Sequence, residues 1–248
     1  MRVFIRTSGW AIWAARIARP VLPLVLLAVA FHYIGVMTSP VFVAAIFVAI
    51  ALALVSLVLG LIGYVSIWYS GDAGWREASS GVIVGCCAIL FSAFVVVTSA
   101  QNQTSTDVST SPATTPILLE GEVRNDLPAN PVNSDLFRLA STREYRVSAA
   151  EGIALVEQAA NSLGWLFLDQ KRSGAAELHN FYESKTLIGF KDDVTVSTRA
   201  TARLLIVNVR SASRYGDGDF GTNSRRIEQF LLKLDELVEQ AQKQSAEN

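Results

Sequence analysis

The chain has 248 residues, 51% of them hydrophobic and only 17% charged, with a mean hydropathy of +0.34 and a formal net charge of −1. Soluble domains ordinarily carry about 25% charged residues, so a wholly water-soluble protein is disfavoured. The two cysteines, Cys86 and Cys87, are adjacent and precede residue 100, which excludes a disulfide scaffold, thiol catalysis and a cysteine-based zinc site in the C-terminal half.

Charge divides the chain in two. Residues 1–100 hold five arginines against Asp72 and Glu77, a balance of +3; of the 21 basic and 22 acidic residues in all, 16 and 20 remain, a balance of −4. A mildly acidic C-terminal half lacks the clustered positive field that nucleic acid requires.

A helix needs about 20 apolar residues to cross a bilayer. Three segments meet that requirement, at about residues 21–38, 41–68 and 80–98, so residues 1–100 are expected to form a membrane anchor in contact with lipid. Residues 11–18 extend the first segment as an interfacial stretch, with Trp10 and Trp13 at headgroup depth and Arg16 and Arg19 snorkelling. The apolar run is longer than a signal-peptide core and no clear A-x-A site follows it before Pro40; it is read as retained. His32, the one ionisable group inside a span, has no acidic or second histidine partner there and is expected to pack neutral. Gly81 and Gly85 form a GxxxG that fits packing within the bundle or dimerisation equally well, and Cys86 and Cys87 are expected to pack between helices.

Basic residues orient the spans. Arg2, Arg6, Arg16 and Arg19 precede the first and Arg76 lies between the second and third, whereas nothing basic follows the third until Arg124. The positive-inside rule then puts the N-terminus in the cytoplasm and the C-terminal domain outside it; in a bacterium this means an inner-membrane protein with a periplasmic domain.

Residues 101–116, QNQTSTDVSTSPATTP, are polar and Ser/Thr/Pro-rich and are expected to be a flexible linker. Residues 117–248 form the extracytoplasmic domain, with its core at 145–242 and residues 117–146 lying along it as an extended arm. Ser148 and Glu151 have capping-box spacing and open a helix with Ile153, Val156, Ala160 and Leu163 on one face, ended by Gly164. Strands follow at about 165–169, 175–185, 194–199 and 204–213. A final helix spans about 223–242, with Ile227, Phe230, Leu231, Leu234, Leu237 and Val238 on one face. Short links between the strands imply an antiparallel meander. The expected fold is therefore a membrane α-helical anchor plus an α+β domain, a four-stranded antiparallel meander covered by two helices.

The densest polar cluster runs from Arg210 to Ile227 and holds Arg210, Ser213, Arg214, Asp219, Asn223 and Arg226 around Gly216, Gly218 and Gly221. Backbone N–H groups at a helix start beside arginines can hold an anion. Equally, Asp219 and Asn223 can cap the helix, with Asp219 pairing Arg214 or Arg226. Asp192 and Asp193 are further candidates, although consecutive strand residues point to opposite faces. The domain has one histidine, His179, so a three-histidine metal site is impossible, and no G-x-S-x-G, H-E-x-x-H, Walker or Rossmann phrase occurs. No cofactor or metal is expected.

Ser213, Arg214, Gly216, Asp219, Gly221, Asn223, Arg226 and Ile227, with Phe190, Asp192, Asp193, Val194 and Val196 upstream, resemble the hallmark phrases S-R-x-G-x-x-D-x-G-x-N-x-x-R-I and F-x-D-D-V-x-V of an uncharacterised domain family of bacteria and chloroplasts. The resemblance covers roughly residues 145–240. Several members of that family carry N-terminal membrane helices, and none of this implies an activity. An acidic, proline-rich phrase common before the domain is faintly present at Asn125, Asp126, Leu127 and Pro128. Two functions stay open. One is a non-catalytic, membrane-anchored module that binds other envelope or membrane proteins, a peptide, a glycan or a lipid group. The other is an enzyme using the Arg210-to-Asn223 loop on an anionic substrate such as a lipid headgroup. A buried Arg214–Asp219 pair would favour the first, and an open pocket holding both would favour the second.

Overall fold

The computed structural model describes residues 6–101, 106–111, 114–119, 129–132, 140–174, 177–201, 204–216 and 219–247; the Asn125-to-Pro128 phrase lies outside them. The chain forms two compact units, a helical unit over Met1–Gln101 and Leu187–Gly189 and a sheet unit over Asn102–Thr186 and Phe190–Asn248.

The helical unit consists of α1 (Gly9–Ala18), α2 (Val21–Tyr33), α3 (Ser39–Ser70) and α4 (Trp75–Gln101). Three helical stretches, Gly9–Tyr33, Ser39–Ser70 and Trp75–Thr98, are long and apolar enough to cross a membrane, and they mark the chain as membrane-associated. The first begins twelve residues earlier than the span expected from the sequence, because α1 packs on the bundle: Ala11, Ala14, Ala15 and Ala18 are buried. Small residues make that approach possible. A Cβ added to Gly81 would lie 2.6 Å from the Ser56 carbonyl oxygen and 2.8 Å from the Ala14 Cβ, and one on Gly85 would lie 2.8 Å from the Ala53 carbonyl oxygen. The GxxxG is thus consumed inside the α3–α4 contact. Cys86 and Cys87 are exposed, which corrects the packing role expected of them. They lie on the outward side of α4, because Gly81 and Gly85 fix which side faces α3. His32 packs as expected: it is 4% exposed, stacks on Phe42 at 4.4 Å and shares a hydrogen bond of 3.1 Å with Ser39 Oγ.

The sheet unit contains the expected meander. β4 (Leu166–Ser173), β5 (Glu177–Lys185), β6 (Lys191–Ala200) and β7 (Leu205–Ser213) pair antiparallel in sequence order. α5 (Ala149–Ser162) precedes them and α6 (Thr222–Glu247) follows. The sheet nonetheless has seven strands rather than four, in the order β2-β1-β7-β6-β5-β4 with β3 also on β7. β1 (Asp107–Ser109) pairs antiparallel with Arg210–Ala212 of β7, β2 (Asn130–Pro131) runs parallel to β1, and β3 (Arg143–Tyr145) pairs with Leu205–Val207. The segments expected as flexible linker and extended arm therefore supply an edge to the sheet. The outer edge of β7 would otherwise leave a row of backbone donors and acceptors unmatched.

Both helices cover one sheet face. Leu155, Val156, Ala159 and Ala160 of α5 and Ile227, Phe230, Leu231, Leu234 and Leu237 of α6 bury Tyr182, Val194, Val196, Leu205, Val207 and Val209 in a single core. Ser148 caps α5 by accepting the Glu151 N–H at 3.2 Å. The buried stripe of α5 is Gly152, Leu155, Val156, Ala159 and Ala160, so Leu163 turns outward, contrary to expectation. The absence of a Cβ at Gly152 sets this rotation by letting Leu205 close on the helix.

Candidate functional site

The eight candidate residues meet where β6 begins, β7 ends and α6 starts, and the strand register divides them between the two sheet faces. Asp192 lies opposite Ser213, Val194 opposite Ser211, and Thr195 opposite Arg210. Because side chains alternate along a strand, Asp192, Ser211 and Ser213 share the helix-covered face with Val194 and Val196. Asp193 and Arg210 are on the other face.

On the helix-covered face the network is closed. Arg226 of α6 donates to the Asp192 carboxylate, to Ser211 Oγ at 2.8 Å and to Asn223 Oδ1. Ser211 Oγ donates to Asn223 Oδ1 at 2.7 Å, and Asn223 Nδ2 donates to Ser213 Oγ at 2.9 Å and to the Thr106 carbonyl at 3.1 Å. Asp192, Arg226 and Asn223 are all buried. Burial pushes the Asp192 carboxyl above the usual carboxylate range, against the pull of Arg226 and Ser213.

Asp219 works on backbone. Its carboxylate accepts the Gly221 N–H at 2.9 Å and the Asn223 N–H at 2.8 Å. Between them Phe220 has φ of 53° and Gly221 of 74°, a left-handed turn that a residue with a side chain rarely adopts. The carboxylate bridges this turn and satisfies a donor in the first turn of α6. The capping role read from its position is present. Of the two partners expected for it from sequence proximity, Arg226 donates to Asp192 and Arg214 to carboxylates of the other face.

On that other face, Arg214 donates to Asp193 Oδ1 at 2.6 and 3.0 Å and to Glu183 Oε2 at 2.9 Å, and Lys191 Nζ lies 3.0 Å from Glu183 Oε1. Arg210 makes a two-pronged contact with Asp107, at 2.9 and 2.6 Å, and donates to the Pro116 carbonyl at 3.0 Å. Farther along the same face, Glu177 accepts from Ser197 at 2.7 Å and from Arg199 at 2.8 Å, with His179 Nε2 3.7 Å away. Burial holds the His179 imidazole below its ordinary range despite the opposing pull of Glu177. Burial alone would raise the Glu177 carboxyl, but Arg199, Ser197 and His179 together hold it low.

The sequence did not disclose Ser211, Glu183, Asp107 or Thr106 as partners. The one available signal was Asp107, the single charge in an otherwise neutral Ser/Thr stretch. Among the described residues, no three His, Cys, Asp or Glu side chains converge as metal ligands would. Arg214 is engaged by Asp193 and Glu183, and Asp219 by the backbone of the helix start. The cluster ties two strands to a helix start.

No curated protein and no solved structure matches the chain. A family model, described as a protein of unknown function (DUF1499), matches residues 98–234. The match begins well before residue 145, where the resemblance read from the motifs starts, and so takes in β1, β2 and β3. Since it covers more than half of the chain, the chain belongs to the DUF1499 family.

Proposed function

We propose that this protein is a membrane-anchored accessory module of the cell envelope or of a membrane complex, whose α+β domain binds a partner without performing chemistry on it. One observation carries the proposal: the densest polar constellation of the chain is spent internally. Arg226, Arg214 and Arg210 each engage a carboxylate of the same domain, and the buried groups among them hold β6, β7 and α6 together. A catalyst for an anionic substrate would have to direct at least one of these guanidinium groups into an open pocket. The anchor is further assigned to a bacterial inner membrane, with the N-terminus cytoplasmic and the domain periplasmic. The arginine distribution supports this assignment.

The test is co-purification from native membranes in mild detergent, comparing the full chain with one ending at Gln101. The full chain is expected to retain envelope partners that the shortened chain loses. Asp219→Ala is expected to lower the urea midpoint of the full chain by the equivalent of about 1–3 kcal/mol, the size of a lost helix-start cap with charge-assisted hydrogen bonds. The proposal fails if the purified protein turns over an anionic substrate and Arg214→Gln or Asp219→Ala abolishes that turnover with the midpoint unchanged.

A further inference from the structure

The helical unit has a cavity of about 510 Å³ between the first helical stretch and α4, lined by Ala15, Ala18, Arg19, Leu22, Arg76, Glu77, Ser80 and Val84. Its lining is graded. Arg19, Arg76, Glu77 and Ser80 supply two guanidinium groups, one carboxylate and one hydroxyl. Leu22 and Val84 lie on the apolar runs of α2 and α4. Neither the arginine side chains nor the Glu77 carboxylate hydrogen-bonds or ion-pairs with any described residue. By contrast, Arg16, one turn from Arg19, stacks over the Trp13 ring at 5.2 Å.

Arg19 and Arg76 are exposed and Glu77 is half-buried, so the cavity opens outward and leaves these charges accessible to a counter-charge from the headgroup layer. A phosphodiester supplies one for the two arginines, in the fork geometry that guanidinium favours. Glu77 then faces whatever extends beyond the phosphate, and an ammonium group satisfies it. The apolar end takes the start of an acyl chain, and the volume falls within the usual range of about 300–1,000 Å³ for small-molecule sites. We infer that this cavity is a headgroup site for an aminated phospholipid: Arg19 and Arg76 hold the phosphate, Glu77 the ethanolamine ammonium, and Leu22 and Val84 the glycerol-proximal chain. Basic pockets between membrane helices are a recurrent lipid-binding device. Here the carboxylate adds selection for a zwitterionic headgroup over a purely anionic one.

The experiment is native mass spectrometry of the delipidated full-length protein in neutral detergent, titrated with phosphatidylethanolamine and phosphatidylglycerol of identical acyl chains. Wild type is expected to retain phosphatidylethanolamine more strongly. Arg19→Ala/Arg76→Ala should lower its retention by at least about tenfold, the size of even a single lost charge-assisted contact. Glu77→Gln should abolish the preference between the two lipids. Arg16→Ala, outside the cavity, should change nothing. Val84→Trp fills the apolar end without altering charge and should also lower retention, so the site stays testable if the arginine variant does not fold. Unchanged retention in every foldable cavity variant overturns the site. A wild type that prefers phosphatidylglycerol overturns the assignment to Glu77. Displacement of the lipid by free phosphoethanolamine at equal concentration overturns the lipid reading in favour of a soluble phosphate ester.

Discussion

Arg226 reaches from the first turns of α6 into the sheet and donates hydrogen bonds to Asp192, Ser211 and Asn223. Removing one partner of such a buried pair costs more than the pair contributes, because it strands the other charge away from water. Arg226→Met is therefore expected to destabilise the sheet unit by about 3–5 kcal/mol, and Asp192→Leu/Arg226→Met by clearly less than the two single changes added together. Asp192 binds its proton more tightly in the folded chain than in the unfolded one, so protonation favours folding. The deficit of Arg226→Met should accordingly narrow as pH falls through the folded pKa of Asp192. His179, on the opposite face, behaves in the contrary sense. Its folded pKa lies below the ordinary 6.5, from burial first and then from the charges of Arg199 and Lys171, with Glu177 opposing. Below pH 6.5 the unfolded chain takes up a proton that the folded chain refuses, so stability falls from there down to the folded pKa. A further loss follows below 4.5, where Glu177, ionised in the fold, must be protonated. Urea midpoints measured between pH 7.5 and 4 should show the upper step in wild type and not in His179→Gln; an upper step of equal size in both would assign it to another group.

At the scale of elements, β1 is the feature that changes how the domain should be cut. A fragment beginning at residue 117 follows the composition, yet it discards Val108, which is 2% exposed, and the Asp107 and Pro116 groups that hold buried Arg210. It also opens the β7 edge along Arg210–Ala212. A fragment starting at residue 101 is expected to unfold cooperatively and one starting at 117 to aggregate or to lose about 3 kcal/mol or more, the scale of an unpaired buried charge; equal melting of the two would show that β1 contributes nothing. The contrast explains what was legible. β5 announces itself by alternation, β7 by its β-branched residues, α5 by Ser148 and Glu151, and α6 by its apolar stripe. β1, β2 and β3 have two or three residues each, and their burial is supplied by β7 rather than by their own pattern. The polar cluster was visible as a density of Arg, Asp and Asn, but its pairing was not. Partners follow from which face each residue takes, and register sets that. Asp192 and Asp193 could be separated from sequence because they are consecutive. Arg214 could not be assigned to Asp193 and Glu183 without the pairing of three strands.

For the whole molecule, the number of spans and the placement of arginines together decide which compartment the sheet unit occupies. Arg16 and Arg19 lie at the end of α1 and the start of α2, and Arg76 in the first turn of α4. The Arg6 carbonyl accepts the Ala73 N–H at 2.8 Å, and Ser8 donates to the Ala73 carbonyl at 2.9 Å. The segment before α1 and the α3–α4 link are thereby joined at one end of the helical unit. All the described arginines of that unit lie near this end, whereas the link from α2 to α3 carries no lysine or arginine. By the positive-inside rule, the side richer in arginine is expected to be the cytoplasmic one. Three spans then carry the chain across an odd number of times, so the sheet unit is expected outside the cytoplasm. Alkaline phosphatase fused after Asn248 should be active, since it folds only after export. Green fluorescent protein at the same position, exported unfolded, should be dark. Fusions placed after Asp72, in the link between α3 and α4, should give the reverse pair. A fluorescent C-terminal fusion with an inactive phosphatase would invert the orientation and move the sheet unit, with any partner it binds, into the cytoplasm.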